Sequence, residues 1–421
     1  ISKRNFIAFI ISIVILTSFI TSSCTCSGSL EQKSSVNSRN VIIMIGDGMG
    51  WEHVKLARLV EVGEKGPLDM ERLPFWLNIT THNIDNGITW SCAAATAMAT
   101  GNKTRNGFVA MSPSSEPLKT ILEIAEDLGK STGVVTTTEV SQATPACFMT
   151  HVSDRNNYSE ITRQIVEDSD VDVLMGGGRS FFSADQIASM VSKGFTFVEN
   201  SSSLNTMTSG NVLGLFAYGA MPYESARDGE FTPSLSDMTR KAIEILSQSS
   251  NGFFLVVEGG KIDHSSHAHD KLNAVLETIE FSKAVAHADS YARSNGNTLL
   301  IVVADHETGG PTIQHSVVNN TVPIMGMTAE QNESLRRERM DNITVSWSTP
   351  DHTDAKVPCF VNELNFTNLE NGTAIDNTGI FKIMQDYLGT PATSKVPFAG
   401  AIDAILILII FSYNIRKRKK L

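Results

Sequence analysis

Six short runs of Val, Ile, Leu and Phe recur along the chain without the alternation of a half-exposed strand. They are "NVIIMI" (40–45), "TGVVTT" (132–137), "VDVLMG" (171–176), "GFFLVVE" (252–258), "NTLLIVVA" (297–304) and "VPCFV" (357–361). Strands apolar on both faces belong in a sheet covered on both sides, the environment of parallel strands between helices. The intervening segments supply the helices. "LKTILEIAEDLGK" (118–130) and "LSDMTRKAIEILSQS" (235–249) repeat apolar residues at three- and four-residue spacing, and Gly129 suits the end of the first. The alternation predicts an α/β fold, a three-layer sandwich with a mostly parallel central sheet flanked by helices. Sites in such sheets lie outside the carboxyl ends of the strands. The chain shows no internal repeat and no second core, and 311–350 reads as an inserted loop region beside the site.

Those strand ends carry unusual chemistry. "NVIIMI" runs into Gly46-Asp47-Gly48, and "TGVVTT" leads to Gln142-Ala143-Thr144. "FFLVVE" ends at Glu258 and is followed by Asp263, His264 and His267. "LLIVVA" ends at Asp305-His306. The stretch "VVEGGKIDHSSHAHD" (256–270) holds three of the chain's 10 histidines. One strand-end carboxylate is often only a cap or a solvated turn. Four segments delivering Asp, Glu, His and Thr to one edge point to metal ligation. Asp263 and His267 are four apart, so on a helix they share a face. With one more ligand they suit a zinc with an open position; His352 in "STPDHTDAKVP" is a candidate, and a solvated loop histidine is an equal reading of it. Asp305 and His306 suit a second metal, and Asp47 could bridge that metal and a third. Glu258 and Thr144 are hard oxygen donors of the kind magnesium takes.

A nucleophile and an anion clamp are also present. "TWSCAAATAMATG" (89–101) places Ser91 before a run of small residues at the start of a helix, where N–H groups and the dipole favour an anion. An N-cap is the plainer role for such a serine. Arg155 in "HVSDRNNY" could grip a phosphoryl group with two parallel hydrogen bonds. The formal net charge of −11, with no basic block in the central chain, excludes a nucleic-acid footprint. An anionic substrate therefore needs local cations. Three cysteines remain outside the start of the chain, Cys92, Cys147 and Cys359. Their spacing matches no zinc knuckle or redox pair, and they read as small buried hydrophobes.

Taken together, these residues resemble the alkaline phosphatase family. "IGDGMG", "TPACFMTHVSDR", "VLMGGGR", "VEGGKIDHSSH", "ADHETGG" and "DHTDAKVP" occur in the family's order over roughly residues 40–388. The resemblance implies hydrolysis of phosphate monoesters through a phosphoserine at Ser91, with Arg155 binding phosphate oxygens. It implies two zinc ions, one on Asp263, His267 and His352 and one on Asp305, His306 and Asp47, and one magnesium on Asp47, Thr144 and Glu258. It also implies a homodimer. Three positions depart from the family's usual text: Trp90 replaces an aspartate, Gln142 stands where Asp or His is usual, and His264 occupies a position that varies between Lys and His. Gln142 and His264 are therefore secondary candidates. A phosphodiesterase of the same superfamily is the neighbouring reading, and a non-catalytic anchored surface protein a distant one.

The ends read as export machinery. Residues 1–26 have a basic start, an apolar stretch and small residues, the pattern of a secretory signal or signal anchor. A polar linker (27–39) follows. Beyond a second linker (389–397), residues 398–421 combine an apolar run with terminal Arg and Lys. This tail resembles a membrane anchor or the sorting tails of archaeal surface proteins. The expected location is the cell surface or outside the cell, with membrane association through the terminal segments.

Overall fold

The computed structural model describes residues 38–316, 318, 328–365 and 367–389. The secretory and anchor readings of the two ends, 1–26 and 398–421, lie outside the described residues. Among the described residues no helix is long and apolar enough to cross a membrane.

Fourteen strands and twelve α-helices are present among the described residues. The strands are β1 (Asn40–Gly46), β2 (Phe75–Thr80), β3 (Ser131–Glu139), β4 (Val173–Gly177), β5 (Thr196–Val198), β6 (Val212–Leu215) and β7 (Phe253–Glu258). They continue with β8 (Thr298–Ala304), β9 (Glu307–Thr308), β10 (Pro311–Ser316), β11 (Ile343–Trp347), β12 (His352–Thr353), β13 (Val357–Val361) and β14 (Ala374–Asp376). The helices are α1 (Trp51–Glu61), α2 (Ser91–Thr100), α3 (Ile121–Asp127), α4 (Ala143–Met149), α5 (Tyr158–Glu167) and α6 (Ala184–Ser192). The rest are α7 (Ser201–Thr206), α8 (Leu235–Leu246), α9 (Lys261–His267), α10 (Lys271–Asn295), α11 (Ala329–Asp341) and α12 (Thr378–Gly389).

Ten strands form one sheet in the order β14-β2-β13-β8-β1-β7-β3-β4-β6-β5. Every pairing in it is parallel except those of β13, which runs antiparallel to both β2 and β8. "VPCFV" therefore reads correctly as a fully buried strand but not as a parallel one, because burial on both faces says nothing about strand direction. At the centre, all seven residues of β1 are buried. Burying each Val or Ile there contributes roughly 1.5–3 kcal/mol. Helices α1, α8 and α10 pack together as one layer, and α2, α3, α4 and α12 as another. Cys92, Cys147 and Cys359 are buried and free, as small hydrophobes would be.

Local chemistry sets the helix ends. Helix α3 starts at Thr120, whose hydroxyl accepts the Glu123 N–H while the Glu123 carboxylate accepts the Thr120 N–H. It stops at Gly129, φ +69°, one residue beyond the cap. Residues 311–350 contain the antiparallel pair β10–β11 and helix α11. Two short strands, β9 and β12, pair antiparallel with His352 opposite Thr308.

The register of the sheet positions the site. Ile45 lies beside Glu258 on one side and Val303 on the other, Gly46 beside Ala304, and Thr136 beside Glu258. The residues that follow β1 and β8, and the last residue of β7, thus emerge at one level on one edge.

Candidate metal centre and nucleophile

Asp47 and Asp305 each follow a central strand, and both are buried. The Gly48 N–H donates to Asp305 Oδ1 at 3.1 Å, as does the His306 N–H at 2.9 Å. Gly48 must be glycine: its φ is +73°, and an added Cβ would lie 2.7 Å from Thr308 Oγ1 and 3.0 Å from Asp263 Oδ1. The side chains of Asp47, Asp305 and His306 then converge. His306 Nε2 lies 3.3 Å from Asp47 Oδ1 and 3.4 Å from Asp305 Oδ2.

The second group forms on α9 and the β9–β12 pair. His267 Nε2 is 3.4 Å from Asp263 Oδ1, the one-turn relation expected from their spacing. His352 joins them through β12, its Nε2 3.2 Å from His267 Nε2 and 3.7 Å from Asp263 Oδ1. Its ring stacks on His306, centroids 3.6 Å apart, so the two groups adjoin. Of the two readings of His352, the structure supports the one beside Asp263 and His267.

Hydrogen bonds fix which nitrogens carry protons. His267 Nδ1 lies 2.6 Å from Pro350 O, and His352 Nδ1 lies 2.9 Å from Thr89 O. A carbonyl only accepts, so each Nδ1 carries the hydrogen, and in the neutral ring, the form that ligates a metal, each Nε2 presents a lone pair. The Thr308 hydroxyl donates to Asp263 Oδ1 at 2.5 Å and therefore accepts from His306 Nδ1 at 3.2 Å. His306 Nε2 thus also presents a lone pair. Two sets of nitrogen and carboxylate lone pairs point at each other across short gaps, which is unfavourable without a cation between them and is the donor arrangement of zinc.

Orphaned oxygens give an independent test. Asp47 Oδ1, Thr144 Oγ1, Glu258 Oε1 and Asp305 Oδ2 are buried without a hydrogen-bond partner of acceptable geometry. Such groups are rare because each loses its hydration uncompensated. Glu258 is gripped through its other oxygen, which accepts from the Thr136 hydroxyl and from Thr138 Oγ1, the latter at 3.1 Å. Burial and repulsion from neighbouring carboxylates push Asp47 well up, while burial carries Asp305 up to about 8 and Glu258 up to about 7. Burial drives His306 well below its ordinary value and lowers His352. The residues present therefore fit divalent cations.

Ser91 is the first residue of α2, a helix buried at all ten positions that ends at Gly101, φ +72°. Its neighbour Trp90 provides no side-chain cap, so the first N–H groups of α2 are not consumed by one. Ser91 Oγ lies 3.3 Å from His306 Nε2. Arg155 is held by its backbone N–H to Gly107 O at 2.9 Å and by Nη2 to Gln142 Oε1 at 3.2 Å. Gln142 Oε1 also accepts the Ala143 N–H at 2.6 Å, which places this candidate on the arginine and not on a metal group. His264 sits half-buried on α9 near Asp263, Lys261 and Glu139, where burial lowers its pKa, and it joins neither ligand group.

Nothing in the sequence singles out Thr308 beyond its place in "ADHETGG". It bonds a member of each ligand group, so removing its hydroxyl should loosen both. Thr308→Val should weaken divalent-metal binding about 10–100-fold, and Thr308→Ser should restore it, as read by competition with a chromophoric chelator.

A family profile described as alkaline phosphatase matches residues 38–335. Alkaline phosphatase 4 of Bacillus subtilis (strain 168) is 38% identical over 303 residues, 69% of this chain and 66% of that protein. The chain thus spans about two thirds of that curated relative's length. Among solved structures, the cold-active alkaline phosphatase from a psychrophilic Shewanella sp. superposes with a TM-score of 0.73 at 30% identity, covering 83% of this chain and 100% of that one. A single-residue variant of TAB5 alkaline phosphatase, described with Mg bound in the M3 site, gives 0.68 at 28% identity over 84% of this chain and 99% of that one.

Proposed function

The chain belongs to the alkaline phosphatase family, and from that membership we propose that it hydrolyses phosphate monoesters to an alcohol and inorganic phosphate, with Ser91 as nucleophile. One observation carries the reading: Ser91 Oγ lies 3.3 Å from His306 Nε2, at the end of a cation-ready group and at the positive end of α2. Asp263, His267 and His352 would hold one zinc, and Asp47, Asp305 and His306 a second. Asp47, Thr144 and Glu258 would hold magnesium, an ion named for the TAB5 variant. When bound, such ions supply Lewis acidity, lowering the cost of negative charge on the attacking and leaving oxygens.

The chain's own groups do the rest. The N–H groups at the start of α2 and the Arg155 guanidinium bind the non-bridging phosphoryl oxygens. Gln142 and Gly107 hold Arg155 in place for this. Ser91 Oγ gives up its proton and forms the bond to phosphorus as the ester oxygen departs with its electron pair and takes up a proton. Water then cleaves the phosphoserine, returning the serine hydroxyl and releasing phosphate. Two in-line displacements give net retention at phosphorus. Asp47, Glu258, Asp263 and Asp305 bring four negative charges, which three divalent ions would outweigh when bound, so an acidic chain would accommodate a dianion there.

The test compares p-nitrophenyl phosphate with its bis-ester, with zinc and magnesium added. The expected result is a monoester preference above about a hundredfold, with Arg155→Ala lowering monoester kcat/KM by about 10²-fold while diester turnover barely changes. Equal or greater diester activity would transfer the protein to the phosphodiesterase reading. Export is part of the same proposal, supported by the basic and apolar start of the sequence; recovery in the cytoplasmic fraction would count against it.

A further inference from the structure

Resting on the reading that Asp263, His267 and His352 hold an ion, we propose that His269 and Trp347 form a clasp that sets how tightly that ion is held. Neither residue lies in the ligand group; both act through the segment that follows β11.

Helix α9 ends in a turn closed by two backbone bonds, His269 N–H to Ser266 O at 3.0 Å and Asp270 N–H to Ser265 O at 2.8 Å. His269 occupies the left-handed position of that turn, φ +54°, where glycine is usual because a side chain is strained there. The position holds a histidine in spite of the strain, and its ring is engaged. Nε2 lies 2.8 Å from Thr349 O, and the ring stacks on Trp347 with centroids 5.3 Å apart and planes 5° from parallel. Strain retained in exchange for specific contacts is a mark of a functional position.

Trp347 is seated as firmly on its other sides. Gly309 has φ +81°, and a Cβ there would lie 2.5 Å from Trp347 Cε3, so only glycine admits the indole. The buried His53 ring lies 6.1 Å away, fixed by the Gly50 N–H to Nδ1 at 3.0 Å and by Nε2 to Ser266 Oγ at 2.9 Å. The segment after Trp347 carries the ion-site geometry. Pro350 O holds His267 Nδ1, Asp351 O accepts the Gly309 N–H at 2.9 Å, and His352 is itself a member of the group. Two of the three candidate ligands are therefore oriented by residues 348–352. The clasp at Trp347 and Thr349 fixes the start of that stretch, and Thr89 O fixes its end. Partners that orient ligating histidines typically change metal affinity 10–100-fold.

The experiment titrates zinc into the metal-free full chain against a chromophoric chelator and times zinc release to EDTA. It uses the parent, His269→Gly, Trp347→Ala and Trp347→Phe. The expected result is that His269→Gly and Trp347→Ala weaken one zinc equivalent by about 10–100-fold and speed its release, with the other equivalent unchanged. Trp347→Phe, which keeps a stacking ring, should retain most of the affinity. His269→Gly is the decisive variant because it relieves the strained backbone. A merely structural histidine predicts an equal or higher Tm for the metal-free protein and two unchanged zinc affinities, and that result would overturn the clasp alone. Equal loss at both equivalents together with a lower metal-free Tm would also overturn it. Failure of the parent to bind zinc at all would remove the metal reading, and the clasp with it.

Discussion

Ser91→Ala should lose at least about a thousandfold in kcat on phosphate monoesters, with fold and metal content intact. The side chain is small, sits at the first position of α2 and makes a polar contact to His306 Nε2. Removing that contact costs about 1 kcal/mol of stability at most, a small fraction of what a domain of this size commands. The catalytic loss comes from elsewhere: on the proposed mechanism no phosphoserine can form without Oγ, and the two-step path closes. Acid-quenching the parent during turnover of labelled substrate should trap phosphate on the chain, and the variant should trap none. Activity in the variant within about tenfold of the parent would mean that water attacks phosphorus directly and that the phosphoserine route is wrong.

Stripping the protein with a chelator should abolish turnover and lower the Tm in a pH-dependent way. Each ion held at about a thousand times its dissociation constant contributes about 4 kcal/mol to the folded state. Without ions, buried carboxylates must sit together uncompensated. Burial raises Asp305 to about 8 and Glu258 to about 7, both above their unfolded values. A group whose pKa is raised on folding adds stability below the unfolded pKa and loses it as pH rises through the folded one. The metal-free protein should therefore weaken steadily between about pH 4 and 8. Divalent-metal binding should strengthen over the same range as protons cease to compete. Calorimetry should show the gap in Tm between loaded and stripped protein widening from pH 5 to pH 8. A gap that stays constant or narrows would show that Asp47, Glu258 and Asp305 are not where the ions act.

Much of the site is legible in the sequence because its residues are chemically rare and sit where apolar runs stop. Asp47 and Asp305 directly follow buried strands, and Glu258 ends one, which is why three separated segments point to one edge. Asp263 and His267 are readable as a pair because helical periodicity is short-range. Ser91 is readable as the first residue of its helix from the run of small residues behind it. Hydroxyl groups escape this kind of reading. Thr308, Thr136 and Thr138 orient Asp263, His306 and Glu258, but threonine is too common for any one to stand out.

His352 marks the boundary between the two kinds of information. The sequence supplies a histidine with a suitable side chain and leaves it equally a loop residue. Its place in the site depends on a two-residue pairing of β12 with β9, on stacking against His306 and on a bond to Thr89 O, 263 positions away. Contacts of that kind have no local periodicity, so no window of sequence displays them. The direction of β13 is similar, since burial selects its residues while connectivity selects its orientation. Patterning and residue chemistry are local properties, and they suffice to indicate a covered sheet with acids and a histidine at the strand ends and a serine at a helix start. Which nitrogens carry protons, which oxygens are left without partners and how 348–352 is held arise only on folding, because each is a relation between groups far apart in the chain.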